Sequence, residues 1–231
     1  PEHGLFMIDS GIARSFRSKE TAPVGAIVRS AMNFDALKVH VDTKTWLRDR
    51  RELLQGVFVT HLHADHVMGL PDVPKNTPIY VGPEETEGKK FVYLFSRGVV
   101  NDLLDGFGPL REVRFESPHR EAVEQLRVLD LFGDRTAFAL HVPGHTRGSL
   151  AYLIRTPDGP HLITGDVSHT CWGWENSVEP GGFSEDQEES ARSLKKLKEL
   201  EADLPGVTVH LGHQHHVSGA DAAHGAVRPL K

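Results

Sequence analysis

The sequence predicts one α/β domain in which strands and helices alternate. Three observations carry that expectation: 231 residues with 39% hydrophobic side chains, short β-branched apolar runs separated by amphipathic stretches, and histidine clusters that begin where an apolar run stops. A chain of this size buries one sizeable core, and no shift in composition marks a second, so residues 1–231 read as a single domain. Histidines number 15, and their clustering marks metal binding rather than a solvated face.

Taken in order, Leu5 to Ile8 is a short strand closed by Asp9, Ser10 and Gly11. Helices are expected over 22–34 and 45–55, then a strand over 57–60 whose β-branched run stops at His61. A strand at 79–81 precedes a helix over 83–97, whose first turn holds Glu84, Glu85 and Glu87 where the helix dipole favours acids. Strands follow at 111–115, 127–131 and 137–142. The runs 150–155 and 161–164 form a hairpin around Pro157, Asp158 and Gly159, and the second leads into Gly165 and Asp166. A helix over 184–201 has Ser184 as its cap and an apolar face of Leu194, Leu197 and Leu200. The acidic, glycine-rich stretch 172–187 before and around its start has the composition of a flap or of a solvated loop. The last strand, 207–211, opens at Gly212 and His213.

Composition excludes several partners. The net charge is -6, from 26 Lys and Arg against 32 Asp and Glu, and the basic residues form no run that would hold a phosphate backbone. No apolar stretch approaches the roughly 18–20 residues of a membrane span, and residues 1–10 lack the basic start of a signal peptide. A soluble protein acting on a small molecule is expected, in the cytoplasm or in the periplasm or medium, and a homodimer is compatible with it. The chain opens at Pro1 and runs at once into an apolar strand, which suggests that something precedes it. The lone Cys171 has no internal partner and leaves the redox compartment open.

The chemistry gathers at strand ends. In His61-Leu62-His63-Ala64-Asp65-His66, positions 61 and 63 project to one side of an extended chain, while Asp65 and His66 follow where it turns. Neutral imidazoles and carboxylates are the donors that zinc takes, and three histidines and an aspartate in so short a loop are a specific signal. In His141-Val142-Pro143-Gly144-His145, proline and glycine break the strand and present His145 from a turn, whereas His141 stays in the strand as a packed or exposed residue. Asp166 sits where an apolar strand meets a loop, and a metal would remove the cost of burying its carboxylate.

These residues resemble the metallo-β-lactamase superfamily: the His-x-His-x-Asp-His loop, the Pro-Gly-His turn, the Gly-Asp after a strand and the late Gly-His. The resemblance implies an αββα sandwich, with some of the strands that usually precede an Asp-Ser-Gly element absent from the visible chain. It also implies two Zn²⁺ ions, with Mn, Fe, Co or Ni as other divalent choices. His61, His63 and His145 would hold one ion, Asp65, His66 and His213 the second, and Asp166 both. His210, His215 and His216 lie near His213, but only His213 follows a strand and a glycine as the family pattern requires. A water bridging the ions would ionise near neutral pH and attack a carbonyl or phosphoryl centre.

The stretch from Gly165 to His213 resembles, more loosely, the branch that opens acyl-homoserine lactones. That branch carries a tyrosine where this chain has His169, three residues after Asp166. The resemblance therefore implies a hydrolase opening a lactone or related ester, with Asp65, Asp166 and His169 as catalytic groups. A β-lactamase and a glyoxalase II-like thioester hydrolase are the alternative enzymes, and a non-catalytic metal-binding or redox module is the alternative of another class.

Overall fold

The computed structural model describes residues 2–25, 29–30, 34–50, 52–87, 91–115 and 126–214, with the backbone alone for 35 and 91–96. Two compact units share them: Pro1–Val81 with Lys89–Glu112, and Gly82–Gly88 with Val113–Lys231.

The first unit is built on a parallel sheet. Its strands β1 (Leu5–Ile8), β2 (Leu54–Phe58), β3 (Ile79–Val81) and β4 (Arg111–Glu112) lie in that order. Parallel strands covered on both faces favour continuous apolar runs, and Gly56, Val57 and Phe58 of β2 are all buried,. The register sets Met7 beside Val57 and Val57 beside Ile79. Val57, Val59, Ile79 and Val81 close a core with Phe16, Leu70 and Leu103. Helix α1 (Thr43–Arg48) is capped by Asp42, whose carboxylate accepts from the Thr45 N–H at 2.8 Å,. A single turn, α2 (Ala64–Val67), and a longer helix, α3 (Phe91–Leu104), complete the unit.

The second unit is a mixed sheet in the order β5 (Arg127–Asp130), β6 (Ala137–His141), β7 (Leu150–Thr156), β8 (Gly159–Ile163) and β9 (Thr208–His210). All its pairings are antiparallel except β8 with β9. The β7–β8 hairpin closes with Thr156 opposite Gly159, and the Thr156 hydroxyl donates to the Gly159 carbonyl at 2.9 Å. Helix α4 (Cys171–Asn176) and helix α5 (Gln187–Asp203) lie between β8 and β9 in sequence. Leu194 and Leu197 of α5 are fully buried in a core with Leu140, Leu153, Leu162 and Val209.

Several expected boundaries move. The helix expected over 45–55 ends at Arg48, and from Leu54 the chain is already β2, because pairing with β1 and β3 outweighs helical spacing there. The helix expected over 83–97 becomes a tight turn at Glu85–Glu87 and the later α3, because the Glu85 side chain is drawn away to Thr146 and Gly148. Asp186, not Ser184, caps α5: its carboxylate accepts from the Glu189 N–H at 2.9 Å. The stretch 172–187 holds most of α4 and a turn at Gly181–Phe183. Of the helix expected over 22–34, residues 22–25 are not helical and Phe34 opens a short turn, Phe34–Ala36, while 26–28 and 31–33 lie outside the described residues, as do His215 and His216. Among the described residues no helix is long and apolar enough to cross a membrane.

Candidate metal centre

The first unit supplies one set of donors. After β2 the chain passes Val59 and Thr60 into His61, and Asp9, Thr60 and His66 are tied together there. Asp9, at the end of β1, is held by its N–H donating to the Phe58 carbonyl at 2.8 Å. Its carboxylate accepts from the Thr60 N–H at 2.7 Å and the Thr60 hydroxyl at 3.0 Å. The same carboxylate meets His66 Nδ1 at 2.8 Å. With Nδ1–H donating to Asp9, the lone pair of His66 is left on Nε2, the tautomer a metal needs. Ser10 anchors the other end of α2, its N–H and hydroxyl both donating to the His66 carbonyl at 3.0 Å.

The rings in this loop are packed together. The His61 centroid lies 4.4 Å from that of His63, edge-on, and 4.1 Å from that of His66. Thr60 Oγ1 stands 3.1 Å from His61 Nδ1, which leaves the buried His61 Nε2 to offer a lone pair. His61 and His63 offer donor atoms within 4.8 Å of each other, and so do Asp65 and His66. His61 and His66 are buried while the Asp65 side chain is 47% exposed.

The second unit converges on one oxygen. Asp166, buried in the turn that follows β8, has its Oδ2 2.9 Å from His213 Nε2, 2.9 Å from His169 Nε2 and 3.5 Å from His145 Nε2. Gly144 explains how His145 arrives there. Its φ of +130° and a Cβ that would fall 2.1 Å from the Ser190 nitrogen admit only glycine,. The start of α5 then grips the loop, with Glu185 N–H donating to the His145 carbonyl at 3.0 Å and Asp186 N–H to the Gly144 carbonyl at 2.8 Å. Gly212 has a similar necessity, since a Cβ there would lie 2.0 Å from Asp166 Oδ1. The late Gly-His is thus a glycine that lets the chain pass Asp166 and a histidine that then meets it.

Two carboxylates escaped the sequence reading. Asp9 is legible in the sequence as the end of a strand and as the start of the Asp-Ser-Gly element, and a carboxylate closing an apolar strand ahead of a histidine loop is the signal that could have found its role. Buried Glu85 accepts from the Thr146 hydroxyl at 2.6 Å and the Gly148 N–H at 3.0 Å, and so braces the turn just after His145. His141 keeps out of the donor set: its Nε2–H donates to the Arg147 carbonyl at 3.1 Å, and burial, with Arg127 nearby, lowers its pKa. His210 is turned to His161, with Nε2 2.9 Å from His161 Nδ1.

Imidazoles whose far nitrogens are tied to a carboxylate or hydroxyl, together with a buried aspartate facing three imidazole Nε2 atoms, fit a divalent cation bound by nitrogen and oxygen. Fold and donors together define a two-sheet α/β metalloprotein of histidine and aspartate. The chain belongs to the metallo-beta-lactamase superfamily, whose model matches residues 1–213. It is 26% identical over 177 residues to the gamma-lactamase FDB1 of Fusarium pseudograminearum, covering 74% of this chain and 42% of that one. It is 30% identical over 162 residues to the N-acyl homoserine lactonase AttM of Rhizobium johnstonii, covering 68% of this chain and 57% of that one. The chain therefore spans about half the length of these curated relatives. Among solved structures, the B. thuringiensis AiiA mutant with N-decanoyl-L-homoserine bound at the active site has a TM-score of 0.65 at 21% identity, covering 92% of this chain and 77% of that one.

Proposed function

We propose that residues 1–231 act as one hydrolase domain that opens a lactone or related carboxylic ester, using two divalent metal ions, zinc foremost. His61, His63 and His145 hold one ion, Asp65, His66 and His213 the second, and Asp166 serves both. The observation that carries the reading is the convergence of histidine Nε2 atoms on Asp166 Oδ2, joined by the Asp9 contact that leaves His66 Nε2 available. Lactone chemistry is supported by relatives named N-acyl homoserine lactonases. The two-ion count is supported by the likeness of fold to AidC, which is a dizinc lactonase.

The ions, when bound, supply Lewis acidity for the carbonyl and lower the pKa of water. The chain's own groups do the rest. Water adds to the carbonyl carbon, the ring C–O bond breaks, and the departing alkoxide takes a proton to give the hydroxy acid. Asp65, exposed and with Oδ2 3.7 Å from His66 Nε2, is the side chain placed to hold that proton. Asp9 and Thr60 keep the neighbouring histidines oriented while it moves. A second reading, opening of a cyclic amide, draws on the likeness to gamma-lactamases and needs the same donors.

The test is a substrate panel assayed on protein of measured metal content: homoserine lactones of several chain lengths, a γ-lactam, nitrocefin, S-lactoylglutathione and a phosphodiester. Two ions per chain and turnover of the lactones above the rest are expected, with loss on chelation and recovery on adding zinc. Thioester or phosphodiester turnover in the absence of lactone turnover would remove the substrate assignment. Saturation at one ion or none would remove the dual role of Asp166.

A further inference from the structure

Three histidines of the second unit approach Asp166 Oδ2, and the ligand set above uses two of them. The third, His169, brings Nε2 to 2.9 Å, as close as His213 comes. The two contacts differ in kind. His213 has the geometry of a hydrogen bond to Oδ2, whereas His169 Nε2 is buried and makes no aligned N–H···O bond. A histidine present to steady the carboxylate would point its N–H along the bond. One present to meet a substrate carbonyl would turn Nε2 away from the carboxylate, toward the substrate.

A shared ion accounts for the distance without the alignment. Two donors bound to one ion at about 2.0–2.2 Å, at close to a right angle, stand roughly 3 Å apart. The His169 ring is held there from several sides. Its centroid lies 4.4 Å from that of His213, 5.4 Å edge-on from that of His145 and 5.7 Å from that of Phe183. Its backbone is fixed between the turn carrying Asp166 and α4, through the Ser168 hydroxyl donating to the Thr170 carbonyl at 3.2 Å and the Thr170 hydroxyl accepting from the Gly173 N–H at 3.0 Å. The imidazole is therefore pre-set before any ion arrives, which favours its use as a donor.

We propose that His169 is itself a metal ligand, adding its imidazole to an ion that Asp166 holds. This rests on the metal-centre reading above and departs from the substrate-facing role that the lactonase resemblance implies for this position. An added imidazole tilts the site toward zinc, cobalt, nickel and copper and away from manganese and magnesium, which prefer oxygen.

The test compares wild type with His169→Ala, His169→Cys and His213→Ala, each checked for native secondary structure by circular dichroism and loaded with Co²⁺. Chelator competition gives the affinities, and the visible spectrum reports the donors. His169→Ala should weaken one ion by at least about 10- to 100-fold, the scale seen even for groups that only orient a ligand, and should change the d–d bands. His169→Cys should restore binding and add a thiolate-to-cobalt charge-transfer band, a signature that a merely structural residue cannot give. The proposal is overturned if His169→Ala keeps wild-type affinity and spectrum while His213→Ala loses an ion, even if kcat/KM falls. In that case the metal centre stands and His169 serves the substrate. If wild type takes up no metal, the metal-centre reading fails together with this one.

Discussion

At the scale of single residues, the histidines draw their geometry from neighbours outside the proposed ligand set. Asp9 is the clearest case: its φ of +54°, which aspartate tolerates better than most residues, turns the carboxylate toward both Thr60 and His66,. Asp9→Ala should therefore lower metal affinity by about 10- to 100-fold with little change in secondary structure, measured by competition with a chromophoric chelator. His141 shows the opposite environment. Burial, the largest influence, keeps its folded pKa below the ordinary 6.5, so the unfolded chain takes up a proton first as pH falls. Its neutral form stabilises the fold at higher pH, and that contribution is lost as pH drops below 6.5, until the folded imidazole protonates as well. The urea midpoint of wild type should fall across that window, and His141→Gln should fall less steeply. Equal slopes would show that another group dominates.

Among the elements, helix ends do more than start helices. The α5 N-terminus is joined to the turn of Gly144 and His145 by two backbone hydrogen bonds, and the Ser193 hydroxyl donates to the Pro143 carbonyl at 2.7 Å. Removing the Asp186 cap with Asp186→Ala should cost about 1 kcal/mol, seen as a lower denaturant midpoint. Because the same residue's N–H holds the Gly144 carbonyl, hydrogen exchange should also speed up in residues 143–149. An unchanged midpoint would mean that Glu188 and Glu189 suffice at that helix end. The hairpin of β7 and β8 was legible because Pro157, Asp158 and Gly159 form a turn between two apolar runs. The extent of α1 was not legible, since the residues after it carry helical spacing while the sheet recruits Leu54 onward.

For the molecule as a whole, each unit has its own sheet and its own apolar core, and each carries part of the donor set. Leu197 is fully buried in the second core, so Leu197→Ala should destabilise by roughly 2–5 kcal/mol through lost burial and a residual cavity. Urea unfolding followed by tryptophan fluorescence measures it, since Trp174 lies in the same cluster. A loss well under 1 kcal/mol would show that the surrounding side chains collapse into the space.

Legible in the sequence alone were local features: the cluster of histidine and aspartate side chains at 61–66, the Pro143–Gly144 break that presents His145, the Gly165 step before Asp166, and strands such as Leu5–Ile8 and Ile79–Val81. Those features are local, because backbone period, turn residues and ligand type can be read within a few positions. Only the tertiary structure decided that Asp9 serves His66 across 57 positions of chain, that Glu85 braces the turn after His145 instead of starting a helix, and that His169 faces Asp166. Each of these depends on which distant segment lies alongside, and a side chain's partner across such a separation is set by sheet pairing and core packing, for which a run of neighbouring residues carries no signal.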